Sequence, residues 1–262
     1  MFWQQHHPFL RQFLIVSNLA LPPICFFLWS QHLWLALWPT FGAMLLCHTA
    51  ISIAIFHPRC PWLGPLVRSF RTDKKEVWLT IDDGPDGEKS ATLAEALRSR
   101  GVCATFFIVG DRARQHPEIV HTILASGHTV ANHTLHHPRA TMWCLSSERA
   151  REEISGGLEV LREFGVNTPW FRAAVGHKSP ELHPALTQQG CRLIAWSAGG
   201  RDGYRADPQK LVARVLARIR PGGILLLHET RPHTESTVLA VVDALQAQGY
   251  TFTIPIDDQL EE

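Results

Sequence analysis

The feature that most constrains this chain is a run of 47 residues, 12–58, without a single Lys, Arg, Asp or Glu. It divides into Phe13–Trp29 and Leu33–Phe56 around the polar tripeptide Ser30-Gln31-His32. The second stretch is long enough to cross a hydrocarbon core of ~30 Å as a helix. The first is at the short limit, and Pro22-Pro23 is expected to kink it. Trp29, Trp34 and Trp38 cluster around the intervening turn, where a membrane interface favours amphipathic rings. A buried hairpin in a soluble protein is the competing reading, but such a hairpin seldom avoids charge for so long. A cleaved signal peptide fits less well, because Ser30-Gln31-His32 offers no small-residue cleavage site and a second apolar stretch follows at once. The expectation is a two-helix transmembrane hairpin within residues 1–60, spanning about 13–29 and 33–56.

Charge divides the chain. Of its 25 Lys and Arg, only Arg11, Arg59 and Arg68 fall in residues 1–70, and none of its 24 Asp and Glu do. The remainder is mildly acidic and globular in composition, which argues against nucleic acid as a partner, since phosphate affinity needs clustered cations. Arg59, Arg68, Arg71, Lys74 and Lys75 follow the second span, Arg11 precedes the first, and the connecting turn has no cation. The positive-inside bias then places both ends, and everything after residue 60, in the cytoplasm. Residues 61–75 read as a basic juxtamembrane linker and 258–262 as an acidic tail. The six cysteines are scattered without C-x-x-C spacing and suggest neither a zinc site nor a disulfide framework.

From Val77 onward apolar runs alternate with amphipathic stretches. The runs are Val77–Ile81, Ala104–Val109, Thr129–Ala131, Trp170–Ala174, Leu193–Ala195, Ile224–Leu227 and Tyr250–Ile254. Helices are predicted at about 90–100, 117–126, 147–164, 180–189, 208–220 and 234–248. Gly101, Gly127, Gly165, Gly190 and Gly249 supply stop signals and Asp207-Pro208 a start. Strict alternation implies a parallel sheet buried on both faces, either a closed or nearly closed barrel or a doubly wound sheet. In both architectures the chemistry belongs at the C-terminal ends of the strands.

The polar residues fall there. The first strand runs into Asp82-Asp83-Gly84-Pro85, the third into His133-Thr134-Leu135-His136-His137 and the fourth into Arg172. The fifth leads towards Asp202 and the sixth into His228-Glu229. Singly, each has an ordinary explanation: Asp-Asp-Gly-Pro is a good turn sequence, and a chain with 15 histidines will contain chance His pairs. Together, at the strand ends of one sheet, they form a chemical kit. Two imidazoles and a carboxylate make a three-ligand set with open positions, as catalytic zinc needs. Such an ion polarises a carbonyl and acidifies water. A second carboxylate can serve as base and a further histidine as acid. That kit suits hydrolysis of an amide or ester.

These motifs resemble the polysaccharide deacetylases of carbohydrate esterase family four, the chitooligosaccharide deacetylase homology domain, over about residues 76–257. Thr80-Ile81-Asp82-Asp83-Gly84-Pro85 is similar to the family's Thr-Phe-Asp-Asp-Gly-Pro, which implies Asp82 as catalytic base and Asp83 as metal ligand. His133-Thr134-Leu135-His136-His137 is similar to His-Ser/Thr-x-x-His and implies His133 and His137 as the other ligands, with His136 a spacer. Leu227-His228-Glu229 resembles the motif that carries the general acid, His228. Cys103–Gly110 resembles the family's second strand. The resemblance implies a distorted (β/α)7 barrel and one divalent metal ion: zinc is expected, with Co, Mn and Ni also compatible with an Asp-His-His site.

Two motifs depart from the family. Its Arg-x-Pro-Tyr/Phe-Gly appears as Arg172-Ala173-Ala174-Val175-Gly176. Arg172 is expected to pair with Asp82, and the Val175 backbone N–H to replace that of the missing aromatic as oxyanion donor. Its Asp-x-x-Asp-Trp region appears as Gly199-Gly200-Arg201-Asp202-Gly203. Asp202 is expected to tune His228, and Tyr204 to stand in for the absent tryptophan in binding substrate. The implied activity is removal of an acetyl or formyl group from an amino sugar, by a multi-pass protein of a bacterial inner membrane. A cytoplasmic face suits a lipid-linked sugar; an outward face would suit a cell-envelope polysaccharide. The alternative is a catalytically silent sugar-binding or scaffold protein with the same fold.

Overall fold

The computed structural model describes residues 8–199, 202, 207–230 and 234–262. The uncharged run forms two helices, α1 (Pro8–Ser30) and α2 (Trp34–Phe56), packed as a hairpin. Asn18 Nδ2 on α1 donates to the Cys47 carbonyl on α2 at 3.1 Å. α1 continues through Pro22-Pro23 without breaking. Both helices are long and apolar enough to cross a membrane. Their large side chains do not form a soluble core: Leu19 is 72% exposed, Leu35 98% and Leu46 72%. Near the exit of α2, Ala54 and Ile55 are buried in a cluster with Leu14, Cys60 and Leu63.

The remaining chain alternates strand and helix around one predominantly parallel sheet. Its strands are β1 (Ser69–Phe70), β2 (Glu76–Gly84), β3 (Ala104–Ile108), β4 (Thr129–Asn132), β5 (Trp170–Phe171), β6 (Arg192–Leu193), β7 (Ala198–Gly199), β8 (Gly223–His228), β9 (Thr251–Phe252) and β10 (Leu260–Glu261). Its helices are α3 (Glu88–Ser99), α4 (Gly110–Gln115), α5 (Pro117–Ala125), α6 (Ser147–Glu163), α7 (Leu182–Gln188), α8 (Pro208–Arg218) and α9 (Thr234–Ala247). The order β10-β1-β8-β2-β3-β4-β5-β6 curls into a distorted barrel. Between β6 and β8 the gap is spanned by a parallel bridge from Ile194 to Val67 and by β7, which pairs with β8.

Side-chain alternation along β2 explains why the site lies inside. Val77, Leu79 and Ile81 face a core shared with Leu93, Val120, Val215 and Val241 of the surrounding helices. Trp78, Thr80 and Asp82 are the intervening residues. Trp78 joins Phe107, Ala131, Ile194 and Ile224 in an apolar plug, and Asp82 lies four residues further towards the strand end. Below the polar rim the barrel is therefore a packed interior, not a channel.

Four features differ from the sequence expectation. Residues assigned to the linker and tail pair antiparallel as β1 and β10, Ser69 with Glu261 and Phe70 with Leu260. Two-residue strands lie below the length at which alternation can be read. The seventh expected strand, Tyr250–Ile254, shortens to β9 and pairs only with the start of β2, because β3 and β8 already flank that strand higher up. Its place between β6 and β8 is taken by Val67 and β7. α4 was not expected, since Gly110–Gln115 is polar and abuts Pro117 with no apolar period of its own.

Candidate active site

Register brings the groups together. β2 and β8 run parallel with Asp82 beside His228, so the expected base and acid sit on neighbouring strands at one level. The same level continues through the pairs Gly84 with Ile108, Ile108 with Asn132, and Asn132 with Phe171. The next residues on β4 and β5 are His133 and Arg172. A regular strand would send Asp82 and Asp83 to opposite faces. The β2–β3 register slips between Asp82 and Gly84, and Asp83 adopts φ +74°. This bulge turns the second carboxylate back towards the site. Aspartate is among the few side chains that enter the left-handed region readily.

The ligand triad converges on one point. Asp83 Oδ1 lies 3.3 Å from His133 Nε2 and 3.2 Å from His137 Nε2. The three ligand atoms lie within 4.8 Å of one another. His133 Nδ1 is 2.9 Å from the Arg172 carbonyl, which assigns the proton to Nδ1 and the lone pair to Nε2. His137 Nε2 is buried without a hydrogen bond that satisfies it. Two imidazole nitrogens and a carboxylate oxygen facing a common centre fit a divalent cation of the zinc class in geometry and donor type. Burial pushes the Asp83 carboxyl up, but His133 and His137 outweigh it and hold it well below the usual carboxylate range. Burial lowers His137, partly offset by Asp83, and favours the neutral imidazole that a ligand must be.

The loop that presents the histidines is held by a buried acid. Glu153 on α6 is fully buried, and its Oε2 accepts from the backbone N–H groups of Leu135 at 3.1 Å and His136 at 2.9 Å. Thr134 and His137 adopt positive φ, and Thr134 Oγ1 accepts from His137 N at 2.9 Å. His136 turns away and pairs with Asp111 at 2.7 Å, as a spacer should.

Asp82 is 3% exposed and pairs with Arg172 Nη1 at 2.6 Å. Arg172 also donates to Thr80 Oγ1 at 2.8 Å and to the Ile194 and Ala195 carbonyls, and lies over the Phe107 ring at 4.0 Å. Across the rim, Asp202 Oδ1 lies 2.8 Å from His228 Nδ1, and its Oδ2 accepts from His228 N at 2.7 Å. This fixes the ring and leaves Nε2 as the nitrogen for proton transfer. Burial lowers the His228 pKa, but Asp202, with Asp82 and Asp83, outweighs it and raises the value. Asp202→Asn should cost about 10²-fold in kcat/KM. It should also move the alkaline limb of the pH profile to lower pH, because His228 loses the charge that keeps it protonated. A profile that drops uniformly would assign Asp202 a structural role.

Val175 stands at φ +51° and ψ +13°, a costly conformation for a β-branched residue. Among the described residues its N–H donates to no acceptor, as an oxyanion donor requires. Tyr204 lies outside the described residues.

Besides Glu153, three side chains had no role in the sequence reading. Thr230 Oγ1 lies 3.3 Å from Asp83 Oδ2, on the carboxylate oxygen turned away from the histidines. Arg112 Nη1 donates to the Asp83 carbonyl and braces the bulge. Glu229 is fully buried with neither carboxyl oxygen hydrogen-bonded. It packs so closely on Gly84 that a Cβ there would lie 1.4 Å from Glu229 Oε1, so any larger residue at that position would displace the Glu229 carboxyl. Burial, reinforced by Asp86 and Asp83, pushes its carboxyl up to about 8. The folded state thus holds this proton after the unfolded chain has released it, and stability falls as pH rises from 4.5 towards about 8. Glu229→Gln should flatten that fall in a Tm-against-pH series; a parallel curve would contradict it.

Comparison with known proteins places the chain in a family. The family model described as polysaccharide deacetylase matches residues 70–194. A chitooligosaccharide deacetylase of Rhizobium leguminosarum bv. trifolii is 32% identical over 196 residues, covering 69% of this chain and 90% of the relative. A peptidoglycan-N-acetylglucosamine deacetylase of Bacillus cereus is 31% identical, covering 70% and 68%. A solved structure of a pseudoenzyme of carbohydrate esterase family four from Bacillus anthracis superposes with TM-score 0.66 at 26% identity, covering 72% of this chain and 66% of that one. With its fold, its motifs in family order and relatives that align over most of their length, this chain belongs to the polysaccharide deacetylase family.

Proposed function

We propose that the protein is a metal-dependent hydrolase that removes an acetyl or formyl group from an amino sugar. The observation that carries this reading is the convergence of Asp82, Arg172, the Asp83–His133–His137 triad and the Asp202–His228 pair on one rim. Asp83, His133 and His137 would hold the ion, with zinc the expected metal. A divalent ion there supplies Lewis-acid polarisation of the acyl carbonyl and acidification of water. Asp82, aimed by Arg172, accepts the proton of the attacking water. The Val175 N–H donates to the oxyanion. His228 delivers a proton from Nε2 to the departing nitrogen as the C–N bond breaks, leaving a carboxylate and a free amino sugar.

The chain's first 60 residues act as a two-span anchor in the bacterial inner membrane in this reading. The exposed apolar surface of both helices and the cations that follow α2 support an anchored, cytoplasm-facing domain. A domain beside the bilayer favours a lipid-linked acylamino sugar over a polymer. The similarity to a pseudoenzyme raises the second reading, a silent sugar-binding or scaffold protein. Retention of base, acid and all three candidate ligands favours catalysis.

The test is acid release by the purified full chain from two sources, bacterial membrane lipid extracts and N-acetylated polysaccharide, with acetate and formate quantified separately. Release from the lipid fraction is expected. Release from polymer alone would replace the lipid-linked substrate, and release from neither, with metal bound, would favour the silent reading.

A further inference from the structure

The exit of α2 is a wall of the active site. His57, Pro58 and Arg59, which immediately follow the helix, line a cleft of about 250 Å³ with Trp196, Arg218 and His228. That is below the ~300–1,000 Å³ of pockets that enclose drug-sized ligands, so it suits a single headgroup better than an oligosaccharide. His57 also belongs to a second, shallow groove, lined by His48, Thr49, Ser52 and Phe56 on α2 itself. Positions 48, 49, 52 and 56 share one helix face. The shallow groove on the proposed span and the cleft beside His228 thus adjoin at His57, which lines both.

This junction is built rather than tethered. Lys178 is buried and donates from its backbone N to the Ile55 carbonyl at 3.1 Å and from Nζ to the His57 carbonyl at 2.8 Å. A cation on the last carbonyls of a helix satisfies groups that otherwise lack partners. Phe56 stands edge-on to His177 with ring centroids 5.0 Å apart. Pro58 packs against Gly176, where a Cβ would approach it to 2.8 Å. Gly176 follows Val175, the candidate oxyanion donor. Arg11, at the start of α1, secures the other end of the hairpin by donating to the Pro180 carbonyl at 2.7 Å.

The charge in the cleft is one-sided. Among the described lining residues Asp202 is its only acid, and it is engaged by His228. Arg59 donates to the neutral carbonyl of Ser197 at 3.3 Å, and among the described residues neither Arg59 nor Arg218 pairs with a carboxylate. Two arginines without acidic partners in a small cleft beside the proton donor suit a phosphate ester. We infer that Arg59 and Arg218 form a subsite for the phosphate that joins the acylated amino sugar to a lipid, whose chain lies along the His48–Ser52 face of α2. This deepens the deacylase reading and rests on it for the sugar, but the phosphate subsite can be read without turnover.

The experiment titrates dodecyl phosphate into the full chain in a neutral detergent, with inorganic phosphate as the lipid-free arm. It is repeated on Arg59→Gln and Arg218→Gln, whose side chains are both exposed. Dodecyl phosphate should bind at least tenfold more tightly than inorganic phosphate, and each variant should weaken it by about tenfold. Equal affinity for inorganic phosphate would overturn the lipid half of the inference. Binding unchanged in both variants, or displacement by an equal amount of phosphatidylglycerol, would overturn the subsite. Acid release from a neutral alkyl N-acetylglucosaminide, measured separately, reports the deacylase reading. Phosphate binding without that release sinks only the reaction, and release without phosphate binding sinks only the subsite.

Discussion

Asp83→Ala is expected to abolish metal binding and to lower acid release at least ~10³-fold, the scale on which Lewis-acid stabilisation contributes to such reactions. Asp83 supplies the oxygen that faces both His133 and His137, at 3.3 and 3.2 Å. Without it two imidazoles remain, too few for a catalytic zinc site. Loss of metal should be visible by elemental analysis, from about one ion per chain in the wild type to a small fraction of one. Asp83→Asn separates charge from shape, because the amide keeps an oxygen but loses the anion; weak binding rescued at high metal concentration is expected. Turnover by Asp83→Ala at the wild-type rate would end the assignment of the triad.

Arg172→Ala is expected to be the most destabilising single change in the rim. The side chain is 1% exposed, and its guanidinium satisfies Asp82, Thr80 and two backbone carbonyls. Removing it leaves the Asp82 carboxylate buried without its cation, which costs about 3–5 kcal/mol. For a domain of this size that is a fall in Tm of roughly 10 °C or more. Activity should fall with it, since the base loses its orientation. Arg172→Met combined with Asp82→Asn removes the stranded charge and should recover much of the stability while remaining inactive. If the double variant were no more stable than Arg172→Ala, burial of an unpaired charge would not be the cause.

The fold was legible wherever a period could be counted. Five of the apolar runs became staves of the sheet at their expected places, and a sixth, Leu193–Ala195, became β6 one residue earlier. Val67, β7 and β10 were not legible, because none of them lies in an apolar run bounded by turn signals. Of the site, the residue types at strand ends pointed to the chemistry, and the family resemblance supplied the roles. What no spacing conveys is the bulge at Asp83, which decides that consecutive carboxylates face one centre rather than two. Glu229 read only as the residue after His228 at a strand end; packing against Gly84 reveals a buried carboxyl. The His57–Arg59 wall was invisible for a different reason, since it meets His228 across more than half the chain. Local pattern cannot report such a contact, although Arg59 was already conspicuous as the first charge after the span.

In the proposed reaction Asp83, His133 and His137 hold a metal without which Asp82 and His228 cannot hydrolyse an N-acyl amino sugar. The most direct measurement is acid release by the purified full chain before chelation, after chelation, and after zinc is restored. Release should stop with chelator and return with zinc, with Asp83→Ala silent in all three conditions. Release that continues undiminished in metal-free protein would contradict that requirement for metal.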